Sequence, residues 1–186
     1  DSRVSRGLGD VYKRQFIRRW APESLLFTEM VNATSLNLGY GVEKINQISN
    51  EEGPVGIQLF DNRPNSVADA AKESESSGAY IIDINMGCPV KKIAKKGGGS
   101  ALLKDPSLAI ELVKRISRAV NIPVSVKTRI GWSDKDNNIK EFLLRLQDAG
   151  ANMFTIHGRT REQGFNGKAD WKLSLIHISE PTRHTR

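Results

Sequence analysis

The chain of 186 residues has a single cysteine, Cys88, and this scarcity excludes an internal disulfide. Long apolar runs are also absent: no stretch approaches the roughly 20 residues that a helix needs to cross a bilayer. Together the two absences favour a reducing, cytoplasmic setting. We expect neither a membrane nor a metal ion among the partners of the protein.

The two ends of the chain are related through their DNA. Residues 5–15 can be encoded by a string whose reverse complement translates, in frame, as residues 173–183. Inverted copies of this kind are expected when a sequencing adapter has been translated together with a gene, so both ends are left out of fold reasoning. We therefore expect residues 1–15 and 173–186 to be translated adapter and disordered, and residues 16–172 to form the genuine domain.

The positive charge of the chain is weaker than it first looks. The ends supply +3 of the formal net charge of +7, which leaves 22 basic and 18 acidic residues in between. Such a small excess indicates a polyanionic partner only if the basic residues cluster. The C-terminal end also holds His177 and His184, so His157 is the histidine whose chemistry can be argued.

Short apolar runs rich in branched residues recur along the middle of the chain. They are typical of buried parallel strands and cover residues 25–30, 55–60, 80–85, 123–127 and 152–157. Amphipathic helical patterns separate them, and one apolar stripe consists of Ala109, Leu112, Val113, Ile116 and Val120. This alternation predicts an α/β fold with right-handed crossovers.

Two architectures fit that alternation, an open doubly wound sheet and a (β/α)8 barrel. Polar side chains stand at the end of every predicted strand: Glu29, Gln58, Asp83 with Asn85, Lys127 with Arg129, and His157 with Arg159. An open sheet binds its ligand mainly at one switch point, whereas a barrel gathers the carboxyl ends of all strands around one centre. Because all five strands contribute, we favour the barrel.

The run Asn-Met-Gly-Cys-Pro at residues 85–89 carries the strongest chemical signal. Gly87 allows a sharp turn after the strand, and Pro89 restricts Cys88 to an extended conformation, which holds the thiol at the barrel mouth. A lone cysteine is more often a small buried hydrophobe. Its place in a Gly/Pro loop just past a strand favours a reactive role instead.

Three motifs of this sequence occur in the same order in tRNA-dihydrouridine synthases. They are residues 85–89, the run Val-Lys-Thr-Arg at 126–129 followed by Gly131 and Trp132, and Ile-His-Gly-Arg-Thr-Arg at 156–161. Their spacing and the Lys-Lys-Gly-Gly-Gly-Ser-Ala-Leu-Leu run at 95–103 most resemble the bacterial DusB-type branch. The resemblance implies a partial TIM barrel of roughly strands 2 to 6, lacking strand 1, strands 7 and 8 and a C-terminal helical domain.

The resemblance also implies a cofactor and a reaction. FMN would lie across the barrel mouth, be reduced by NADPH, and pass hydride to carbon 6 of a uracil in tRNA. By analogy with the family, Cys88 is catalytic and gives the proton to carbon 5. A thiol with an ordinary pKa of about 8.5 is mostly protonated at neutral pH and can act in this way.

Binding roles follow from the same resemblance. Gln58 and His157 match residues beside the flavin ring, and Lys127 would face its pyrimidine edge and stabilise negative charge there. Asn85, Arg129 and Arg159 are expected to bind the substrate. Asp83 and Glu29 fit a functional role and a buried hydrogen-bonding role equally well.

A uracil in folded tRNA must leave its stack to reach a flavin, which requires contacts to the RNA backbone. The candidates are the lysines of residues 91–96, together with Arg159 and Arg161. Glycines 97–99 follow no strand of their own and lack the dinucleotide fingerprint, which favours a mobile lid.

Two other functions stay open at this point. One is an FMN barrel acting on free pyrimidines, such as a dihydroorotate or dihydropyrimidine dehydrogenase, and the other is a barrel remnant that binds RNA without catalysis. Five or six strands cannot close a barrel, so exposed edges are expected. We expect the polypeptide as written to be inactive, to bind FMN weakly and to aggregate, and the complete protein to be a monomer.

Overall fold

A computed structural model describes residues 11–46, 48, 53–136 and 138–170. Helices and strands alternate along them, after an opening helix. The elements are α1 Val11–Trp20, β1 Leu26–Phe27, β2 Val31–Asn32, α2 Ala33–Asn37, α3 Val42–Asn46, β3 Val55–Phe60, α4 Pro64–Ser76, β4 Ile81–Met86, α5 Lys91–Ala94, a 3₁₀ helix Gly99–Lys104, α6 Pro106–Ala119, β5 Val124–Arg129, α7 Ile139–Asp148 and β6 Met153–His157.

The strands form one sheet in the order β1-β3-β4-β5-β6, and β2 also pairs with β3. Every pairing is parallel. The strand order in space follows the order in the chain, without the reversal that creates the switch point of a doubly wound sheet. The predicted α/β class is thereby confirmed, and the sheet is an arc of a (β/α)8-type barrel.

The first predicted strand, residues 25–30, is wrong in detail because the segment is broken. Leu26 pairs with Val55 and Val31 pairs with Leu59. The edge segment that contains β1 and β2 therefore uses five residues where the neighbouring strand β3 uses four. One extra residue opposite a regular strand is a β-bulge, a feature that often re-aims side chains beside active sites. Here the bulge falls on residues 28–30.

Alternation along the strands divides the sheet into two faces. The outer face is apolar and packs on buried side chains of the helices, with Ile82 and Ile84 of β4 and Val124 and Val126 of β5 in the same core. Helix α6 begins where the sequence predicts, after Asp105. The Asp105 side chain caps its first turn by accepting from the Leu108 N–H at 3.0 Å. Its predicted stripe is buried.

The inner face begins apolar and becomes polar. A Cβ on Gly56 of β3 would lie 2.5 Å from the Phe27 ring and 2.7 Å from Ile81 Cγ2, so only glycine lets these two side chains close over the strand. Beyond Gly56, the inward-facing side chain on β3 is Gln58. The inner face is therefore apolar near the amino ends of the strands, and its polar groups lie toward their carboxyl ends.

Helix α1 crosses the boundary drawn at residue 15. Residues 11–15 are helical, and Arg14 is only 1% exposed, so disorder is not found for these five residues. The rest of the two predicted adapter segments, residues 1–10 and 173–186, lies outside the described residues. Among the helices of the described ranges, none combines the length and the apolar character needed to cross a membrane.

Candidate functional site

The strand register assembles polar side chains from neighbouring strands into two rows on the inner face. Gln58 pairs with Asp83 and Asp83 with Ser125, while Asn85 pairs with Lys127 in the next row. A cavity of about 770 Å³ opens above them. It is lined by Ile17, residues 25–30, Lys44, Gln58, Asp83, Asn85, Lys127 and Thr155.

A directed hydrogen-bond network runs through these rows. The Asp83 carboxylate accepts from Ser125 Oγ and from Gln58 Nε2, both at 2.6 Å. Gln58 therefore turns its Oε1 toward Asn85, whose Nδ2 donates to it at 2.9 Å. Because a carboxylate can only accept, it fixes the orientation of both amides in turn. Asn85 Oδ1 is then left to accept from the N–H groups of Gly87 and Cys88, at 3.1 and 2.9 Å.

Asp83 is 3% exposed, and burial raises the pKa of its carboxyl. The hydrogen bonds from Ser125 and Gln58 and the positive charge of Lys127 act in the opposite direction. Of the two roles considered for this residue, the geometry supports the buried hydrogen-bonding one. Glu29, at the cavity edge, lies 3.5 Å from Lys44 Nζ and forms an ion pair with it.

Lys127 is half-buried, and burial lowers the pKa of its ammonium while the Asp83 carboxylate opposes that shift. Within the described residues the ammonium makes no hydrogen bond and no ion pair, although it lines the cavity. A partly desolvated cation without a direct partner is costly to the fold. Lys127 is therefore suited to a ligand that brings negative charge into the cavity.

The loop that carries Cys88 closes back on itself. Ser100 N–H donates to the Cys88 carbonyl at 3.1 Å, and a Cβ on Gly99 would lie 3.0 Å from the same oxygen. Gly99 has φ of +58° and is buried, as is Gly98. Gly99 is thus packed closely behind the cysteine, while a mobile lid at residues 97–99 stays a prediction.

Arg129 ties two loops together. Its Nε donates to the Gly87 carbonyl at 2.8 Å, and its Nη1 donates to the carbonyls of Thr160 and Gly164 at 3.1 and 3.0 Å. The residue is 2% exposed. These bonds engage Nε and Nη1 with the protein, and a contact between Arg129 and the substrate stays a prediction. Burial lowers the pKa of the Arg129 guanidinium, and the Cys88 side chain lies close enough to Arg129 and Lys127 to interact with their charges.

His157 and Arg159 lie in a neighbouring cavity of about 560 Å³. His157 pairs with Arg129 across β5 and β6. Partial burial lowers the pKa of His157, and the positive charges of Arg129, Lys127 and Arg159 lower it further. Arg159 donates from Nη2 and Nε to the Gly167 carbonyl at 3.0 and 3.2 Å.

The predicted site residues thus occupy one rim but not one pocket. Gln58, Asn85 and Lys127 share the main cavity. The backbone N–H of Cys88 is held by Asn85 at the edge of this group, and Arg129 bonds to Gly87 next to it. His157 and Arg159 line the second cavity.

Sequence reasoning missed Thr28 and Ser125. Thr28 sits in the bulge, where its Oγ1 accepts from the Gln58 N–H at 3.2 Å, and Ser125 holds Asp83. Ser125 could have been found, because it lies two residues before Lys127 and so on the same face of the strand. In the described part of the chain, His, Cys, Asp and Glu side chains form no group of three that could hold a metal ion.

One solved structure shows a similar fold. The carboxyl transferase domain of Rhizobium etli pyruvate carboxylase, determined with pyruvate and biocytin, superposes with a TM-score of 0.50 at 17% sequence identity. The match covers 77% of this chain and 23% of that one. At this identity the likeness concerns the fold alone.

Sequence comparison is more specific. The chain is 52% identical over 166 residues to the probable tRNA-dihydrouridine synthase 1 of Synechocystis sp., covering 89% of this chain and 47% of the relative. Identity is 36% over 169 residues to the probable tRNA-dihydrouridine synthase of Rickettsia bellii, covering 90% and 52%. It is 46% over 123 residues to the tRNA-dihydrouridine synthase B of Proteus vulgaris, covering 66% and 38%.

The chain spans about half the length of the first two relatives. Residues 5–174 match the family model described as dihydrouridine synthase (Dus). This match takes in all six strands, the network around Asp83 and the loop of Cys88. The chain belongs to the dihydrouridine synthase (Dus) family.

Proposed function

We propose that the chain is the catalytic barrel portion of a DusB-like tRNA-dihydrouridine synthase, an oxidoreductase that reduces the 5,6 double bond of uridine in tRNA. The observation that carries this proposal is the ammonium of Lys127, which has no hydrogen-bond or ion-pair partner among the described residues and lines a cavity shared with Gln58 and Asn85. The loop of Cys88 is fixed at the edge of that cavity by Asn85.

The residues of the main cavity fit FMN. A volume of about 770 Å³ with an apolar wall from Ile17, Leu26 and Phe27 suits a flat aromatic ring. Lys127 and Gln58 would hold the polar edge of that ring. When bound, FMN that has been reduced by NADPH supplies the hydride for carbon 6 of the uracil.

The side chains of the protein have separate tasks in this proposal. Lys127 places a fixed positive charge where negative charge develops, in a partly dehydrated setting that strengthens its effect. Cys88 Sγ gives its proton to carbon 5 of the uracil. Asn85 and Arg129 hold the Cys88 loop through its backbone, so the thiol is positioned before substrate arrives.

His157 and Arg159 belong to the second cavity on the same rim. We propose that His157 contributes to the cofactor side of the site and that Arg159 contacts the RNA. We also propose that the complete protein is cytoplasmic and monomeric.

The direct test replaces Cys88 with alanine. Reduction of tRNA uridine should fall by about 10²- to 10⁴-fold, the usual contribution of a positioned general acid. Flavin reduction by NADPH, followed by loss of flavin absorbance in the absence of tRNA, should be unchanged. The measurement is made on a longer gene product that contains this chain.

The controls separate the thiol from the loop. Cys88→Ser keeps the size of the side chain but supplies a much weaker acid, so it should be nearly as slow as the alanine variant. Full tRNA reduction by Cys88→Ala would remove the thiol from the mechanism. Turnover of free uracil or dihydroorotate in place of tRNA would favour a barrel acting on free pyrimidines.

A further inference from the structure

A second cleft lies beside the main cavity, at the carboxyl ends of β2 and β3. Its volume is about 710 Å³, and α5 with the turn after it forms the opposite wall. Gly97, in that turn, has φ of +81°, and a Cβ there would lie 2.9 Å from Asn62 Nδ2. The turn therefore lies close to the side chain of Asn62, two residues after the end of β3.

Three cations line this cleft: Arg63, Lys92 and Lys96. All three are exposed at its rim, and within the described ranges none of them forms an ion pair. The side-chain amide of Asn62 also lines the cleft and has no hydrogen-bond partner in the described part of the chain. Among the described residues, Arg63 is the one of these four that spends a donor on the protein, from Nη1 to Thr34 Oγ1 at 3.4 Å, so the other donors of the group are left for a ligand.

The carboxylate in the cleft, Asp61, does not cancel this charge at the rim. It is 7% exposed and is satisfied from behind. Its Oδ2 accepts from Thr34 N–H at 2.8 Å and from Asn32 Nδ2 at 3.3 Å, while its Oδ1 accepts from its neighbour's N–H at 2.8 Å. The cleft therefore keeps a surplus of positive charge on its open side.

The cleft lies close to the proposed reaction centre. Asp61 follows Gln58 by three residues along the β3 direction, a distance of about 10 Å at the rise of a strand. Lys92 and Lys96 belong to the loop that starts at Cys88 and returns to it through the hydrogen bond from Ser100. A charge bound by these lysines would lie on the same loop as the thiol.

We propose that this cleft binds backbone phosphates of the RNA strand next to the uridine that enters the main cavity. The inference rests on the proposed function. Mobile ammonium groups at an open rim suit a chain of phosphates that runs past them and fix its register without reading bases. An enclosed, glycine-rich cradle would be expected for a nucleotide cofactor, and the cleft is open and has cations on its rim.

The test compares two double variants of one short segment. Lys92→Ala with Lys96→Ala removes the cations of the cleft. Lys91→Ala with Lys95→Ala removes the same charge from exposed lysines that do not line it. Binding of unmodified tRNA to the full chain is measured by fluorescence anisotropy over a series of salt concentrations, without NADPH, so that it does not depend on turnover.

The cleft variant should bind tRNA about tenfold more weakly, and the slope of log K against log salt should be smaller by roughly 1.5, as expected for two lost phosphate contacts. Lys92→Arg with Lys96→Arg should retain the wild-type affinity and slope. A thermal melt of each variant reports on folding, which these exposed positions should leave unchanged.

Equal weakening by both double alanine variants would overturn the proposal in favour of a diffuse basic surface. Unchanged tRNA affinity together with a raised KM for NADPH in flavin reduction would overturn it in favour of a dinucleotide phosphate. Because binding is read without catalysis, a longer gene product that fails to reduce tRNA but shows the expected loss of binding contradicts the proposed function and leaves the phosphate site standing.

Discussion

The outer and inner faces of the same strands follow opposite rules. On β4, Ile82 and Ile84 face the helices and are fully buried among apolar side chains. Asp83 and Asn85, on either side of Ile84, face the cavity instead. Both form hydrogen bonds with the Gln58 side chain, and Asn85 also accepts from the Cys88 N–H. The outer face lowers the free energy of the fold by burial, whereas the inner face keeps partly buried charges.

This difference separates stability from function along one strand. Apolar burial stabilises by about 25 cal/mol per Å². Dehydrating a carboxylate and an ammonium costs free energy unless each finds a partner, and Lys127 has no direct one among the described residues. Features that are costly to the fold and well ordered are expected where a protein binds or reacts.

The largest effect is expected on the outer face. Ile84→Ala should lower the free energy of unfolding by about 3 kcal/mol, because Ile84 is 1% exposed and truncation leaves a cavity. Urea unfolding followed by circular dichroism measures this loss. Flavin affinity of the folded protein should stay unchanged, since the side chain points away from the cavity.

Ile84→Val provides a graded control for that experiment. It removes one methylene group and should cost about 1 kcal/mol. A loss below that value for Ile84→Ala would contradict the packing described for the outer face. A large change in flavin affinity would show that the two faces are not independent.

Much of this division could be predicted from sequence. The apolar stripe of α6 and the Asp-Pro start at Asp105 fix a helix against the outer face, and the alternation of strands and helices favours a barrel. Gln58, Asp83, Asn85 and Lys127 of the inner face could be identified as well, because polar side chains at strand ends are unusual in buried strands.

The contacts between those residues could not be predicted. The bulge at residues 28–30 depends on a register that differs by one residue on its two sides, which no local pattern records. An arginine at a strand end, such as Arg129, gives no sign in the sequence of which carbonyls surround it. Its partners, Gly87, Thr160 and Gly164, lie 42, 31 and 35 residues away in the chain.

A substitution on the inner face should have the opposite sign. Asp83→Asn removes a buried charge and can keep the network, since the new amide oxygen accepts from Gln58 and its NH₂ donates to the hydroxyl of Ser125. The raised pKa of Asp83 means that its contribution is most favourable below the ordinary value of 3.8 and is lost as pH rises through the folded value.

Asp83→Asn should therefore gain stability relative to the wild type as pH rises above 3.8, by about 1.4 kcal/mol for each unit by which the carboxyl pKa is raised. Urea midpoints of both proteins across this pH range measure the difference. A variant that becomes relatively less stable as pH rises would show that Lys127 and the hydrogen bonds outweigh burial at this site.

The smallest effect is expected at the rim, where neither face dominates. The pKa of His157 is lowered from 6.5 by partial burial and by nearby cations, so above that pH the residue is neutral in both folded and unfolded chains. As pH falls below 6.5 the unfolded chain takes up the proton first, and the wild type loses stability until the lowered folded pKa is passed.

His157→Gln should abolish that loss, and the change should stay below about 0.5 kcal/mol because solvent screens a partly exposed group. Arg159→Gln is the matched variant, because it removes one of the cations that lower the pKa of His157. It should narrow, but not abolish, the pH range over which the wild type loses stability. Thermal melts in steps of pH from neutral downward compare the three proteins. An equal pH dependence in all three would mean that the histidine meets the same surroundings folded and unfolded, and its place beside Arg129 would then have no electrostatic consequence.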